Sequence, residues 1–334
     1  MLTKLKKILE GQPAYRYKQV NEALFKSLVS NWDEVSNLPK ELKEKLSQDF
    51  PLEINAKIFK EPRVMKALIE LEDGICIESV LMMYEKRNSI CVSSQAGCAL
   101  GCTFCATGQN GFKRNLTVWE MIVQVLFFAR LFKEKGERID NIVFMGMGEP
   151  FLNIDNVLEA IKILNDKDGF NIGARSISVS TVGITEGIKR LSDFPIQVNL
   201  AVSLHSPDDK VRSQLMPINK KYSLEKIFMA IDNYIIKTNR KVMLEYIMIE
   251  NVTDKIKMAK ELAVLIKSRE KPLVMVNMIP YNESGVISKY KPSSPERMEE
   301  FKMILIREGI DCIMRRSFGT TIAGACGQLA GKES

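Results

Sequence analysis

Three cysteines near residue 100 have the clearest potential for chemistry. Cys98, Cys102 and Cys105 are spaced as CxxxCxxC in a glycine-containing segment that follows a predicted strand. Thiolates bind iron–sulfur clusters and zinc well, and three ligands would leave one iron of a four-iron cluster open to another molecule. The spacing therefore predicts a cluster site. A zinc site, or an electron-transfer cluster with Cys91 as fourth ligand, is the alternative.

Other candidate residues lie in short motifs at strand ends or in loops. Cys326 lies in Gly324-Ala-Cys-Gly327, a composition typical of an exposed loop. The run Gly146-Met-Gly-Glu149 follows a strand. Its glycines would let the backbone approach a ligand closely, and its carboxylate can accept hydrogen bonds from an ammonium group. His205 is the only histidine, which disfavours a histidine-based metal site or catalytic triad.

Strand-like and helix-like patterns that alternate from residue 89 onward must position these residues. Alternation predicts parallel strands joined by right-handed crossovers, and nearly continuous apolar strands indicate that both sheet faces are covered. About six units are too few for a closed eight-stranded barrel, so we expect an α/β fold with a partial (βα)6 barrel. The predicted strands are 90–93, 141–145, 176–180, 197–204, 241–247, 273–279 and 311–314, and the main predicted helices are 118–135, 154–165, 224–237, 255–267 and 295–308.

The chain divides into three predicted parts. Residues 1–52 are helical and basic and form a small accessory domain suited to RNA binding. Residues 53–88 carry short β signals and form a β-rich linker. Residues 89–334 form the partial barrel and end in a catalytic loop around Cys326.

Composition and charge narrow the class of protein. Among 334 residues, 48 are Lys or Arg and 41 are Asp or Glu, a net charge of +7 that favours a polyanionic partner such as RNA. Seven cysteines without a secretory signal disfavour a disulfide scaffold. The longest apolar stretch, at 122–132, is too short to span a membrane. We therefore expect a cytoplasmic protein without a membrane partner.

Basic and aromatic residues at the N-terminus and near the candidate site suit contacts with RNA phosphates and bases. A solvated helical face is equally consistent with the charge alone. These residues are Lys4, Lys6, Lys7, Tyr15, Arg16, Tyr17 and Lys18, together with Lys113, Arg114, Arg315 and Arg316.

Several motifs, in the same order over residues 15–331, resemble the RlmN/Cfr family of radical S-adenosylmethionine (SAM) adenine methyltransferases. The matching runs are Cys91-Val-Ser-Ser-Gln-Ala-Gly-Cys98, Cys105-Ala-Thr-Gly108, Gly111-Phe-Lys-Arg-Asn-Leu-Thr117, Phe144-Met-Gly-Met-Gly-Glu-Pro150, Ser203-Leu-His-Ser-Pro207, Leu215-Met-Pro-Ile-Asn219 and Ala325-Cys-Gly-Gln-Leu329. The resemblance implies methylation of adenine C2 in 23S ribosomal RNA, at the peptidyl transferase centre, and in tRNA next to the anticodon. Resistance-conferring members of the family instead modify C8 of the same ribosomal adenine.

The resemblance also implies a role for each candidate residue. Cys98, Cys102 and Cys105 would hold one 4Fe-4S cluster. Two SAM molecules would be consumed per turnover: one methylates Cys326, and the other gives the 5'-deoxyadenosyl radical that activates this methyl group. Glu78 would remove the adenine proton. Cys91 would close a disulfide with Cys326 to release the product, so these two cysteines should be neighbours. The implied SAM contacts are Gly148, Glu149, Ser180, Ser203, Leu204, His205 and Asn282.

The choice of C2 over C8 rests on resemblance, because both subgroups share the catalytic residues. Cys105-Ala-Thr-Gly108 and Gly111-Phe-Lys-Arg-Asn-Leu116 favour the C2 subgroup. A C8 methyltransferase and a non-enzymatic iron–sulfur or zinc RNA-binding module are the alternatives. We also expect a monomer that takes electrons from a one-electron reductant such as flavodoxin.

Overall fold

A ten-stranded sheet organises the computed structural model, which describes residues 2–284, 287 and 289–331. The outer limits of the predicted segments 1–52 and 89–334 lie outside the described residues. The strands are β1 (Ala56–Glu61), β2 (Val64–Glu70), β3 (Cys76–Tyr84), β4 (Arg87–Cys91), β5 (Gln95–Gly97), β6 (Phe112–Asn115), β7 (Asn141–Phe144), β8 (Ile177–Thr181), β9 (Asn199–Ser203), β10 (Val242–Met248), β11 (Val274–Pro280) and β12 (Cys312–Met314). The order in the large sheet is β1-β2-β3-β4-β7-β8-β9-β10-β11-β12, and β5 pairs with β6 separately.

The seven strands β4, β7, β8, β9, β10, β11 and β12 pair in parallel with one another, as the alternating pattern predicts. Ile142, Ile177, Leu200 and Val276 are fully buried, because helices and neighbouring loops cover both faces of this part of the sheet. The prediction of a partial α/β barrel is therefore confirmed. Parallel strands bring their carboxyl ends to one edge, where the ligand site of such a barrel is expected.

Residues 53–88 continue the same sheet. The strands β1, β2 and β3 are antiparallel to one another, and β3 is antiparallel to β4. A turn with Gly74 at φ 76° joins β2 to β3. In register, Lys66 on β2 lies opposite Val80 on β3, which in turn lies opposite Cys91 on β4. The extension therefore places β3 directly beside the first strand of the barrel.

Helices cover the sheet and follow most of the barrel strands. The α-helices are α1 (Leu2–Leu9), α2 (Ala14–Phe25), α3 (Lys40–Asp49), α4 (Ala106–Gln109), α5 (Val118–Lys133), α6 (Ile154–Asn165), α7 (Thr185–Asp193), α8 (Asp209–Leu215), α9 (Leu224–Thr238), α10 (Ile256–Lys267) and α11 (Pro295–Arg307). Short 3-10 helices occupy Trp32–Glu34, Pro150–Asn153, Ala174–Ser176 and Pro217–Lys220. Among the α-helices that follow residue 89, α4, α7 and α8 were not among the main predicted helices. No helix in the described ranges is long and apolar enough to cross a membrane.

The N-terminal segment contacts α5 through residues that flank its helices. Trp32 is buried and donates a hydrogen bond from Nε1 to the Phe50 carbonyl oxygen at 2.8 Å. The Phe50 ring in turn lies 4.7 Å from that of Trp119 on α5. Arg130, also on α5, donates to the carbonyl oxygens of Leu52 (2.7 Å) and Val29 (2.5 Å). Aromatic packing and these hydrogen bonds therefore join the N-terminal segment to the barrel.

Candidate active site

The loop that carries the three cysteines is fixed at both ends. Cys98 directly follows β5, and Cys105 is the N-cap residue of α4. Gly97 has φ 77°, and a Cβ atom there would collide with the Gly111 carbonyl on the paired strand. Glycine is required at this position for the close approach of the two strands. The Cys98 amide donates to the same Gly111 oxygen at 2.9 Å, which sets the start of the loop.

All three thiols line one cavity of about 870 Å³ at the carboxyl ends of the parallel strands, here called the main cavity. Five of the seven predicted SAM contacts line it as well: Gly148, Glu149, Ser180, Ser203 and His205. These five residues lie at or just after the ends of three parallel strands, β7, β8 and β9.

Glu149 is buried in the wall of the main cavity, where backbone amides hold its carboxylate. Oε1 accepts from the Phe151 amide at 3.0 Å, and Oε2 accepts from the Val182 amide at 2.9 Å. Burial raises the pKa of this carboxyl to about 7 against those hydrogen bonds. Gly148 has φ 95° and lies so close to Gln95 that a side chain would displace it. Each carboxylate oxygen keeps a lone pair for a further donor, such as an ammonium group.

His205 lines the main cavity as a neutral ring. Its Nδ1 accepts from the Ile247 amide at 3.2 Å, which leaves the ring proton on Nε2. Burial, with a contribution from Arg212, lowers its pKa to about 3. Leu204, in contrast, does not line the main cavity. Its side chain is fully buried, its amide donates to the Glu245 carbonyl oxygen at 3.0 Å, and its carbonyl oxygen accepts from Arg212 Nε at 3.0 Å.

A second cavity of about 780 Å³, here called the side cavity, adjoins the first. Cys91, Asn282 and Cys326 line it, and Cys326 also borders the main cavity. Asn282 donates from Nδ2 to the Cys326 carbonyl oxygen at 3.1 Å, so it holds the Cys326 loop. Unlike the three cysteines of the loop, Cys91 does not line the main cavity, and this disfavours its use as a fourth cluster ligand.

Cys91 and Cys326 are free thiols, as are the other cysteines, so the implied disulfide is absent from this structure. Burial raises the pKa of Cys91 to about 12, and the neighbouring Cys326 adds to the rise. The cavity walls also raise the pKa of the Cys326 thiol, whereas the Arg315 guanidinium lowers it. Cys91 is fixed in β4 between two paired strands, so bonding would require the Cys326 loop to move toward it.

Arg315 borders both cavities and is held by buried polar groups. Its Nη1 lies 3.6 Å from Glu245 Oε2, and Asn277 Nδ2 donates to both oxygens of that carboxylate at 2.9 Å. Sequence reasoning assigned Arg315 to RNA contacts and overlooked Glu245. The signal for Glu245 was an acidic residue within the otherwise apolar run of β10.

Glu78 lies on β3 beside the site, but it lines neither cavity. Its side chain is 1% exposed, and Oε1 lies 2.8 Å from Nζ of the buried Lys66. Oε2 accepts from the amides of Ala330 (2.6 Å) and Gly331 (2.8 Å). Its assignment as the base for adenine stays a prediction. Sequence reasoning overlooked Lys66, because a lysine within a strand reads as a solvent-facing residue.

The chemistry of the donor set fits a 4Fe-4S cluster. Three thiols from one short loop share the wall of the main cavity. His205 lines the same cavity, but its Nδ1 already accepts from the Ile247 amide. Within the described ranges, no three His, Cys, Asp or Glu side chains are grouped so that they could hold a metal ion as they stand. Burial raises the pKa of Cys98 to about 12 and holds the pKa of Cys102 well above its ordinary value, and ligation would replace these protons.

The Arg114 guanidinium forms ion pairs with two carboxylates of the same chain. It pairs with Asp73 at 2.7 Å and with Glu120 at 2.7 Å. In contrast, Tyr15 and Tyr17 on α2 are exposed. Of the residues predicted to contact RNA, these two tyrosines are therefore better placed for a partner than Arg114.

Comparison with known proteins agrees with this geometry. Residues 92–263 match the family model of the Radical SAM superfamily. A Caldicellulosiruptor saccharolyticus protein named "Probable dual-specificity RNA methyltransferase RlmN" is 44% identical over 330 residues, which cover 97% of this chain and 94% of the relative. A Thermotoga neapolitana protein of the same name is 45% identical over 323 residues, covering 96% and 92%.

A solved structure shares the whole fold. The radical SAM methyltransferase from Sphaerobacter thermophilus superposes with a TM-score of 0.94 at 40% identity, covering 99% of this chain and 98% of that one. Full-length similarity at this level, together with the cysteine loop and its cavity, establishes the family. The chain belongs to the RlmN family of radical SAM RNA methyltransferases.

Proposed function

We propose that the protein methylates C2 of adenine in 23S ribosomal RNA and in tRNA through a methylated Cys326. The observation that carries this proposal is the position of Cys326, which borders both the main cavity and the side cavity. A methyl carrier needs access first to SAM and then to adenine, and this position gives one sulfur access to both spaces. The names of the relatives support RNA as the substrate.

The main cavity supplies the groups that bind SAM. Cys98, Cys102 and Cys105 would hold a 4Fe-4S cluster, which would supply the electron needed to cleave SAM to methionine and the 5'-deoxyadenosyl radical. Glu149 accepts hydrogen bonds from the SAM ammonium group, and its own backbone donors keep the carboxylate in place. A one-electron reductant such as flavodoxin provides the electron.

Cys326 carries the methyl group between SAM and RNA. Its sulfur displaces S-adenosylhomocysteine from the first SAM and loses its thiol proton. The radical derived from the second SAM then removes a hydrogen atom from this methyl group, and the resulting carbon radical adds to C2 of adenine. Arg315 lowers the pKa of Cys326 and so favours the thiolate that the first displacement needs.

Product release requires a second thiol. The adduct would give up its unpaired electron, for which the oxidised cluster would be the acceptor, and its C2 proton, for which Glu78 is the predicted base. The Cys91 thiolate then attacks the Cys326 sulfur, the carbon–sulfur bond breaks, and the released carbon takes up a proton to complete the methyl group. Cys91 lines the side cavity with Cys326, and both are free thiols in the resting protein. Reduction of the resulting disulfide would restore the enzyme.

The experiment is a methylation assay under anaerobic conditions. Protein with a reconstituted cluster receives SAM, a reductant and a 23S RNA fragment or tRNA, with Cys326→Ala alongside. Nucleoside mass spectrometry should find 2-methyladenosine and 5'-deoxyadenosine with the native protein only. Formation of 8-methyladenosine would refute the C2 assignment, methylation by Cys326→Ala would refute the carrier role, and absence of SAM cleavage with an intact cluster would refute the whole proposal.

A further inference from the structure

We infer that Glu78 acts as a positioning residue: together with Lys66, it fixes the C-terminal segment that carries Cys326 against the cluster loop. The inference rests on the proposed role of Cys326 as methyl carrier. It assigns to Glu78 a task that precedes any contact with adenine.

The first observation is a buried ion pair between adjacent strands. Lys66 on β2 and Glu78 on β3 are 0% and 1% exposed, with 2.8 Å between Nζ and Oε1. The Lys66 ammonium also lies 4.9 Å from the centre of the Phe59 ring. Two charges withdrawn from water are costly unless further hydrogen bonds satisfy them. The remaining capacity of the Glu78 carboxylate is used on one segment only, the chain that follows Cys326.

The second observation is the way this carboxylate is bound. Two successive amides, of Ala330 and Gly331, donate to Oε2 at 2.6 Å and 2.8 Å. Consecutive backbone N–H groups of this kind form a concave anion site. Gly331 has φ 66°, and a Cβ there would lie 3.0 Å from both the Cys76 oxygen and Met147 Cε. The segment is therefore seated closely on β3, at a place that glycine fits best.

The third observation is that the same segment is bound from its other side by α4, which begins directly after Cys105. The Ala106 amide donates to the Gly327 oxygen at 2.8 Å. Thr107 Oγ1 donates to the Leu329 oxygen at 2.6 Å, and Asn110 Nδ2 donates to the Ala330 oxygen at 3.0 Å. Cys326 thus begins a segment held between the cluster loop and Glu78, so the position of its sulfur relative to Cys105 depends on both contacts.

Glu78 would act as a positioning residue and as a base at different stages of the reaction. A base is needed only after the adenine adduct has formed. A positioning residue is needed already when Cys326 takes its methyl group from SAM, before RNA is present. Because small displacements of a reacting group slow a reaction by factors on the order of 10 to 100, the first stage alone reveals the positioning role.

The experiment compares two double variants of the reconstituted holoenzyme. Lys66→Met with Glu78→Gln removes both charges and keeps an oxygen that can accept from the two amides. Lys66→Met with Glu78→Leu removes the charges and the acceptor. Neither variant leaves an unpaired buried charge, and neither retains a carboxylate base. The rate of Cys326 methylation by SAM, without RNA, is followed by peptide mass spectrometry, and amide exchange is followed over residues 325–331.

We expect the Leu variant to methylate Cys326 about 10- to 100-fold more slowly than the native protein and to exchange these amides at least about tenfold faster. The Gln variant should stay within about threefold of native in both. Equal, native-like rates in both variants would overturn the inference and leave Glu78 only the later step. Equal slowing of both would also overturn it, because the acceptor would then not be the decisive group.

Measurements on the native protein keep the inference testable if the Leu variant does not fold. The amides of Ala330 and Gly331 should exchange as slowly as those in β3, and exchange at the rate of unprotected amides would overturn the inference. If native protein with an intact cluster forms no methylated Cys326, the proposed function fails. The exchange data still decide separately whether Glu78 holds the segment.

Discussion

Replacing Gly148 by Ala should weaken SAM binding, because the added Cβ would strain the backbone and overlap Gln95. At φ 95° a non-glycine residue is strained by about 1–2 kcal/mol. A Cβ at this position would also lie 2.9 Å from the Gln95 amide nitrogen and closer to its side chain. Overpacking of this kind adds about 1–3 kcal/mol, so the free energy of unfolding should fall by about 2–5 kcal/mol in total.

Gln95, the residue that the new Cβ would displace, helps to position the proposed SAM site. Gln95 accepts from the Glu149 amide at 2.8 Å and donates to Asn115 at 2.7 Å, and it begins β5, which leads into the cysteine loop. A shift of Gln95 therefore moves Glu149 and the start of the cluster loop together. We expect SAM binding, measured by equilibrium dialysis, to weaken by about tenfold or more, the equivalent of one lost hydrogen bond to a charged group.

Gly74 provides a matched control. It has φ 76° in the turn between β2 and β3, with no atom within 4 Å of a built Cβ, so Gly74→Ala carries the backbone strain without the overlap. With an unfolding entropy of about 0.7 kcal/mol per degree for a chain of this size, Gly74→Ala should lower Tm by roughly 1–3 °C and Gly148→Ala by roughly 3–7 °C. If both variants melt together and bind SAM like the native protein, the steric reasoning is refuted.

Three further predictions follow from the site and the packing. Cys91→Ser should still form methylated Cys326 but should accumulate a covalent protein–RNA adduct, visible on a denaturing gel; normal product release would contradict its role. Arg315→Met should remove the cation that lowers the pKa of Cys326, so the pH profile of Cys326 methylation should move to higher pH, while Arg315→Lys should move it less. An unchanged profile would show that Arg315 does not act on this thiol. Trp32→Ala should lower the free energy of unfolding by about 3–5 kcal/mol, because Trp32 is buried and hydrogen-bonded to Phe50; thermal melting measures this, and a loss below about 1 kcal/mol would contradict the packing described for the N-terminal segment.

The barrel could be predicted because its strands are nearly continuous apolar runs. The segment at 241–247 contains Val242, Leu244 and Ile247, all buried, and it forms β10. The joining of β1–β3 to the barrel could not be predicted, because strand pairing depends on partners distant in sequence. A β-rich segment at 53–88 reads the same whether it stands alone or extends a larger sheet.

Residue types and spacing predicted which residues lie near the candidate site, but they did not predict which way each side chain points. Ser180 and Ser203 end parallel strands, and the strand ends bring them to one cavity. Leu204 is adjacent to Ser203 but is fully buried outside that cavity, since side chains near a strand end alternate in direction. Similarly, no local pattern shows that Asn282 binds the Cys326 carbonyl or that Lys66 pairs with Glu78.

Residues 327–331 lie between α4 and β3, and of these three parts of the chain they are synthesised last. During synthesis, β3 and the cysteine loop leave the ribosome before this segment is made. The segment can therefore take its place only after the donors that it needs, those of Ala106, Thr107 and Asn110, have been made. The contacts that fix the position of Cys326 are thus among the last of the site to form.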